Sequence, residues 1–299
     1  MDNTEKTYQK RTFLSNFVLK IIALASMTLD HLGVALDMYF PSQEMLINIF
    51  RCLGRLALPL FCFLLVEGMI HTKSEKKYLF RLGIFALLIS IILLVCYFIP
   101  ELKGVSKQGN IFLDLLLGGI MIYFLKKDKA YLKIIGLFPL LLGVLSFICK
   151  CYESGVVEEI YWYPSCLRLQ YDWLSQLLIL CFYGSYQLVK IIWESKTNTK
   201  IDTILDTEVY RFEVNLISAL FCVAVMVVHY LTKLFISADM IFWDTNVQLL
   251  ASFSGALILF YNGKRGYNAK WFQYGCYLYY PLHILVVTGI TYLIYICTV

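Results

Sequence analysis

Charged side chains are scarce in this sequence: Asp, Glu, Lys and Arg together make 16% of its 299 residues, where a soluble domain carries about 25%. So little charge cannot coat a water-facing surface, and a soluble enzyme is excluded. A dispersed basic face is missing too. The net charge is +5, but its cations sit in short stretches between apolar runs, which argues against a nucleic-acid partner. No C-x-x-C occurs among the ten cysteines, so zinc-ribbon and thioredoxin-like chemistry have no support and no metal is expected. Most of those cysteines (Cys52, Cys62, Cys96, Cys181, Cys222, Cys276) lie in apolar runs, as small packing residues do. Cys149, Cys151 and Cys166 flank one loop, and pairing among them stays open. A cleavable signal peptide is not expected, because Met1 to Ser15 is polar and the apolar run after it is too long for one.

Apolar residues are what the chain has in excess, at 60%. Several runs exceed the ~18 residues that cross a bilayer. Runs and breaks predict an all-α polytopic membrane protein of about nine transmembrane helices, near 15–38, 45–70, 78–99, 111–125, 131–149, 173–193, 212–235, 246–261 and 273–297. A cytoplasmic tail (1–14) would precede a single transmembrane domain (15–299). The loops alternate in charge. Eighteen of the 26 basic residues fall in the tail and in the loops after the second, fourth, sixth and eighth runs. The opposite loops hold five: Lys103, Lys107, Lys150, Arg168 and Lys233. The positive-inside rule then puts the N-terminus in the cytoplasm and the C-terminus outside. The 150–172 loop, outside the cell on this topology, is rich in aromatics and acids. It reads equally as an acceptor-recognition surface or as an interfacial Trp/Tyr belt.

Polar groups inside the runs are few and costly, about 2.5–3.5 kcal/mol each for Arg, Lys or Asp at mid-span. They face a bundle interior and are functional by default. They include Lys20, Asp30 and His31 in the first run and Arg51, Arg55, Glu67 and His71 in the second. Asp114, His229 and His283 lie further on. Lys20 and His31 are eleven residues apart, close to three turns, so they share a face about 16 Å apart. Arg51 and Arg55, and Glu67 and His71, are spaced to share faces. Asp30 and His31 are adjacent and point about 100° apart. Asp30 should therefore reach another helix, through Arg55 or Arg51, while His31 faces a cavity. A lone intramembrane His also serves as a helix–helix hydrogen-bonding residue, and that alternative stands for His31, His229 and His283.

Five segments then resemble a known family: LDHLG (Leu29 to Gly33), GRLALPLFCFLLVEGMIHT (Gly54 to Thr72), KKYLFRLGIFALL (Lys76 to Leu88), YNGKRG (Tyr261 to Gly266) and YYPLHIL (Tyr279 to Leu285). Together they resemble the TraX family of integral membrane proteins, whose namesake is the F-pilin acetylase. The middle of the chain departs from the pattern: the family's Asp-Tyr-Gly segment is Asp172-Trp173-Leu174 here. TraX proteins in turn resemble the acyltransferase-3 and heparan-glucosaminide acetyltransferase group, where a basic residue ahead of a span-one His recurs, as Lys20 and His31 do here.

The resemblance implies transfer of an acetyl group from cytosolic acetyl-CoA to an amine or hydroxyl at or across a bacterial inner or plasma membrane. The acceptor would be a peptide N-terminus such as a pilin, or a glycan. His31 would act as general base or nucleophile. Asp30 would be its scaffold, and Arg55 would stabilise the oxyanion. His283 is the second candidate base, and Glu67 and His71 would position the thioester or gate its entry. The phosphates of acetyl-CoA would dock on Lys77, Arg81, Lys264, Arg265 and Lys270, Lys20 would hold a phosphate or the pantetheine amide, and His71 would complete the cofactor-binding set. The NGKRG turn, from Asn262, would offer backbone N–H groups to anions. Membrane lipids, and a second copy in a homo-oligomer, complete the expected partners. A proton-coupled small-molecule transporter is the main rival, because intramembrane Asp, Glu, His and Arg also build proton relays. A membrane scaffold without catalysis is a third.

Overall fold

The computed structural model describes residues 12–99, 109–155, 160–197, 207–235 and 245–298. The tail to residue 11, and the loop residues Lys103, Lys107 and 156–159, lie outside the described residues. Among the described residues twelve α-helices follow in order: α1 (Asn16–Tyr39), α2 (Glu44–Gly54), α3 (Ala57–His71), α4 (Glu75–Phe98), α5 (Ile111–Leu125), α6 (Ala130–Gly136), α7 (Phe138–Gly155), α8 (Asp172–Thr197), α9 (Glu208–Phe235), α10 (Thr245–Leu249), α11 (Ser254–Leu259) and α12 (Lys270–Thr298). Among the described residues the one strand-like feature is an isolated parallel bridge between Leu14 and Tyr261.

The protein is an all-α polytopic membrane protein. Among the described residues seven segments are long and apolar enough to cross a membrane: Asn16–Tyr39, Glu44–His71, Glu75–Phe98, Ala130–Glu153, Ser165–Lys196, Glu208–Thr232 and Lys270–Thr298. Each coincides with an expected span. The other two expected spans are apolar helices that fall short, Ile111–Leu125 and Val247–Leu259. Fifteen residues of α5 reach about 22 Å at 1.5 Å per residue, against a hydrocarbon core of ~30 Å. The 247–259 segment is interrupted by a 3-10 turn at Leu250–Phe253. Large apolar side chains such as Leu87, Val95, Leu285 and Leu293 face outward from α4 and α12, a surface suited to lipid.

The chain divides into two compact units. The first comprises Met1–Leu64, Ser185–Tyr230 and Asp244–Val299. Its centre is the contact of α1 with α2. Gly54 allows it: a Cβ there would lie 2.3 Å from the Asp30 Cβ, so any side chain would push the helices apart. The second expected span is not one helix but two, because the ladder breaks at Arg55–Leu56 between α2 and α3. Gly54 ends the first piece, and Pro59 sits in the first turn of the second, where its missing N–H costs nothing. Carbonyls near the break are bonded from the side. Ser26 Oγ donates to Leu53 O at 2.6 Å and lies 3.0 Å from Gly54 O. Ser254 Oγ donates to Leu56 O at 3.1 Å. Irregular backbone at membrane depth requires such satisfaction.

The second unit comprises Leu65–Gly184 and Leu231–Trp243. Asp114, buried on α5, gathers the segment before α8. It accepts from Gln170 N at 2.8 Å, Tyr171 N at 3.1 Å and Ser175 Oγ. Asn110 caps α5 by accepting from Phe112 N at 3.0 Å and donates to Ala86 O at 2.8 Å. Lys126 Nζ donates to Met69 O at 2.7 Å, the C-terminal turn of α3, and pairs with Glu75 at 2.6 Å.

Candidate functional site

In the first unit α1 divides its polar residues between two neighbours. Arg51 Nη1 and Arg55 Nη2 each lie 3.2 Å from Asp30 Oδ1. The side chains are 10%, 9% and 15% exposed for Arg51, Arg55 and Asp30. Two cations four residues apart thus converge on one carboxylate from one side of α2. Arg55 Nη1 also donates to Gln248 Oε1 at 3.3 Å, tying α10 to the cluster. One carboxylate thus faces two guanidinium groups in a water-poor site.

His31 points the other way, as its adjacency to Asp30 requires. Its ring meets that of His283 edge-to-face, with centroids 4.9 Å apart and planes at 72°. The His283 ring is also stacked on Tyr279, at 5.1 Å and 4°. His283 Nδ1 lies 2.9 Å from Tyr279 O, and the Tyr279 hydroxyl is 2.7 Å from Thr28 Oγ1 on α1. His283 is 4% exposed, and its Nε2 has no hydrogen-bond partner among the described residues. So two imidazoles, a phenol and a hydroxyl form one patch where α1 meets α12. Beside it, the guanidinium groups of Arg51 and Arg55 meet Asp30 of α1.

A sequence profile described as "TraX protein" matches residues 15–291. The chain belongs to the TraX family. A relative from Dichelobacter nodosus, described as "Probable fimbrial assembly protein FimC, serogroup H1", is 40% identical over 74 residues. That match covers 25% of this chain and 29% of the relative, so the chain spans less than a third of the relative's length. No solved structure matches it.

The remaining expected site residues of this TraX chain are dispersed. Lys20 lies on α1 within electrostatic reach of Arg265 and Cys276. Lys264, Arg265 and Lys270 are exposed, as anion-docking cations must be, but the NGKRG turn does not present free amides throughout. Lys264 N donates to Asn262 Oδ1 at 2.9 Å, so Asn262 shapes the turn. The carbonyls of Lys264 and Arg265 accept from Asn16 N at 2.9 Å and Phe17 N at 3.1 Å. The turn therefore caps the start of α1, where helical N–H groups lack partners. Gly263 and Gly266 have φ of +73° and +66°, a region open to glycine.

Glu67, His71, Lys77 and Arg81 belong to the second unit. Glu67 is buried and pairs with His71 at 3.5 Å, the i,i+4 contact the spacing predicts. Lys77 is exposed, and the Arg81 guanidinium lies 5.8 Å from the Tyr78 ring centre. The 150–172 loop is knotted at its root. Arg168, 1% exposed, makes a two-point bond to Glu153 at 2.6 and 2.7 Å and donates from Nε to Tyr163 O at 2.7 Å. Burial pushes the Tyr163 phenol up from its ordinary value. Tyr161 and Trp162 are left exposed at the tip. All ten cysteines are free thiols. Among the described residues no group of three or more His, Cys, Asp or Glu is placed to hold a metal ion.

Sequence reasoning missed Thr28, Tyr279 and Gln248, which hold the site together. It also placed Arg211 among loop cations. Arg211 is buried, 5.7 Å from the Tyr261 ring centre, and its Nε would lie 2.6 Å from a Cβ at Gly263.

Proposed function

We propose that this protein is a membrane-embedded acetyltransferase of a bacterial inner or plasma membrane. It moves an acetyl group from cytosolic acetyl-CoA to an amine or hydroxyl acceptor. One observation carries the reading: adjacent residues of the first helix, Asp30 and His31, meet two guanidinium groups on one side and a second imidazole on the other. Acetyl transfer requires a base for the acceptor's proton and a positive field for the oxygen that gains charge. His31 with His283 supplies the first, and Arg55, held by Asp30 and Gln248, the second. The exposed cations Lys264, Arg265 and Lys270 suit the phosphates of the donor. On the positive-inside assignment they lie in the cytosol. Membership of the TraX family, and the fimbrial-assembly description of the relative, favour a pilin-like peptide N-terminus as acceptor.

The test is acetyl incorporation by purified protein in proteoliposomes, given labelled acetyl-CoA and an envelope extract from cells lacking the protein. A product heavier by one acetyl group, absent when His31 and His283 are both replaced by Ala, is expected. No labelled product together with no calorimetric binding of acetyl-CoA refutes the reading and leaves a scaffold. The broken second span also occurs in secondary transporters. Proton-coupled solute uptake by the same vesicles without acetyl-CoA would favour that class instead.

A further inference from the structure

His283 has one nitrogen committed and one idle. Nδ1 lies 2.9 Å from the main-chain oxygen of Tyr279, one turn back on α12. A carbonyl oxygen has no proton to give, so this contact is a hydrogen bond only if Nδ1 carries the proton. In the neutral ring Nε2 is then a bare lone pair. That atom is buried, in a residue 4% exposed, with no donor among the described residues. Buried acceptors are ordinarily satisfied, so the vacant lone pair calls for an incoming N–H or O–H.

The ring cannot swing away from that position easily. One face lies flat on Tyr279, with planes 4° apart. The edge-to-face contact with His31 is 4.9 Å between centroids. Tyr279 in turn is anchored across the helix interface, its hydroxyl 2.7 Å from Thr28 Oγ1. Thr28 Oγ1 also donates to Leu24 O at 2.9 Å. That leaves the phenol to give its proton to Thr28. The relay of contacts therefore runs from α1 through Thr28 and Tyr279 to the imidazole on α12.

We infer that His283, rather than His31, takes the proton from the acceptor, and that Tyr279 and Thr28 are its positioning residues. This rests on the acetyl-transfer reading. The acceptor's N–H or O–H donates to His283 Nε2 while its lone pair forms the bond to the thioester carbonyl carbon. The carbonyl electron pair moves onto oxygen, and the proton passes to Nε2. The pair then returns, the C–S bond breaks with its electrons leaving on the CoA sulfur, and Nε2 gives its proton to that thiolate. The imidazole ends neutral, and the products are the acetylated acceptor and CoA. A base with a fixed tautomer is ready for each turnover without a ring flip.

Two measurements test this, and they fail independently of the function. The first is 15N NMR of protein labelled at histidine, with the His283 signals identified by their loss in His283→Gln. An Nδ1-protonated, Nε2-bare ring is expected at neutral pH; an Nε2-protonated ring overturns the inference whatever the protein does. The second is kinetics on labelled acetyl-CoA and the envelope acceptor. Tyr279→Phe keeps the stacked ring but loses the Thr28 bond, and Thr28→Val loses the same bond from the other side. Each is expected to lower kcat about tenfold, His283→Gln roughly a hundredfold, with the KM for acetyl-CoA unchanged. Thr28→Ser should restore kcat. An active parent whose Thr28→Val, Tyr279→Phe and His283→Gln variants all keep full kcat refutes the assignment. An inactive parent refutes the acetyltransferase reading instead, with the tautomer still decided by NMR.

Discussion

Replacing Asp30 by Asn should unsettle the whole first unit. The carboxylate oxygen sits 3.2 Å from both Arg51 Nη1 and Arg55 Nη2, and all three side chains are at most 15% exposed. At an effective dielectric constant near 20, each contact amounts to about 5 kcal/mol of Coulomb attraction, most of it offset by the cost of desolvation. What matters is the state left behind. Asn keeps the shape and one hydrogen-bond acceptor, but it removes the negative charge that both buried guanidinium groups face. Removing one partner of a buried pair costs about 3–5 kcal/mol. Here the loss should reach the upper part of that range, because one carboxylate serves two cations; the bond from Arg55 to Gln248 softens it. A shift of ~2–4 °C per kcal/mol for chains of this order gives a fall in melting temperature on the order of 10 °C. The assay is thermal unfolding in detergent, followed by tryptophan fluorescence. Asp30→Asn/Arg51→Gln should lose less than the sum of the two single losses, a non-additivity expected of contacting residues. A single variant melting within about 2 °C of the parent would refute the reasoning, and with it the claim that Asp30 scaffolds the site.

Two further outcomes follow from close approach and from charge. Gly54→Ala places a Cβ 2.3 Å from the Asp30 Cβ and 2.8 Å from its Oδ1, so loss of monodisperse protein in size-exclusion chromatography is expected. Gly184→Ala is the control: nothing lies within 4 Å of a Cβ there, and mid-helix Ala should be neutral or stabilising by up to ~1 kcal/mol. Lys264→Gln/Arg265→Gln should raise the acetyl-CoA KM severalfold with kcat unchanged, more visibly at low salt because exposed charges are screened. Steady-state kinetics at two ionic strengths would show it, and an unchanged KM assigns those cations to topology alone.

How far the sequence could be read depends on whether a feature is periodic or three-dimensional. The pairing of Glu67 with His71, and the divergence of Asp30 from His31, follow from 3.6 residues per turn and were legible. So were the seven long apolar segments, because span length is a one-dimensional quantity. The break at Arg55–Leu56 was not visible in hydropathy, since the 45–70 run stays apolar on either side of it. Its signal lay in Gly54 and Pro59, five residues apart, which end one helix and open another. The NGKRG turn looked like an anion cradle from composition alone. Which way its amides and carbonyls point is set by the chain entering α1, and no local pattern shows that. Thr28 and Tyr279 stayed silent for a similar reason: Thr in an apolar helix usually bonds its own backbone, and only the approach of α12 turns it into an anchor.

The break in the second span explains why polar groups gather where they do. A continuous helix bonds its carbonyls to its own N–H groups and has little use for Ser26 and Ser254 at Leu53, Gly54 and Leu56. Once the ladder is interrupted, neighbouring helices must supply donors, or each bare carbonyl costs several kcal/mol in a water-free medium. Those donors come from α1 and α11, so both are drawn against the break. Arg55 is the residue at the break itself, and the same approach of α1 brings Asp30 to it. Asp30 also fixes the rotation of α1 about its axis. With that rotation set, His31 is turned about 100° away, onto the side where α12 packs and where His283 and Tyr279 meet it. The guanidinium pair and the imidazole pair are thus two consequences of one interruption in the backbone, joined through adjacent residues of a single helix.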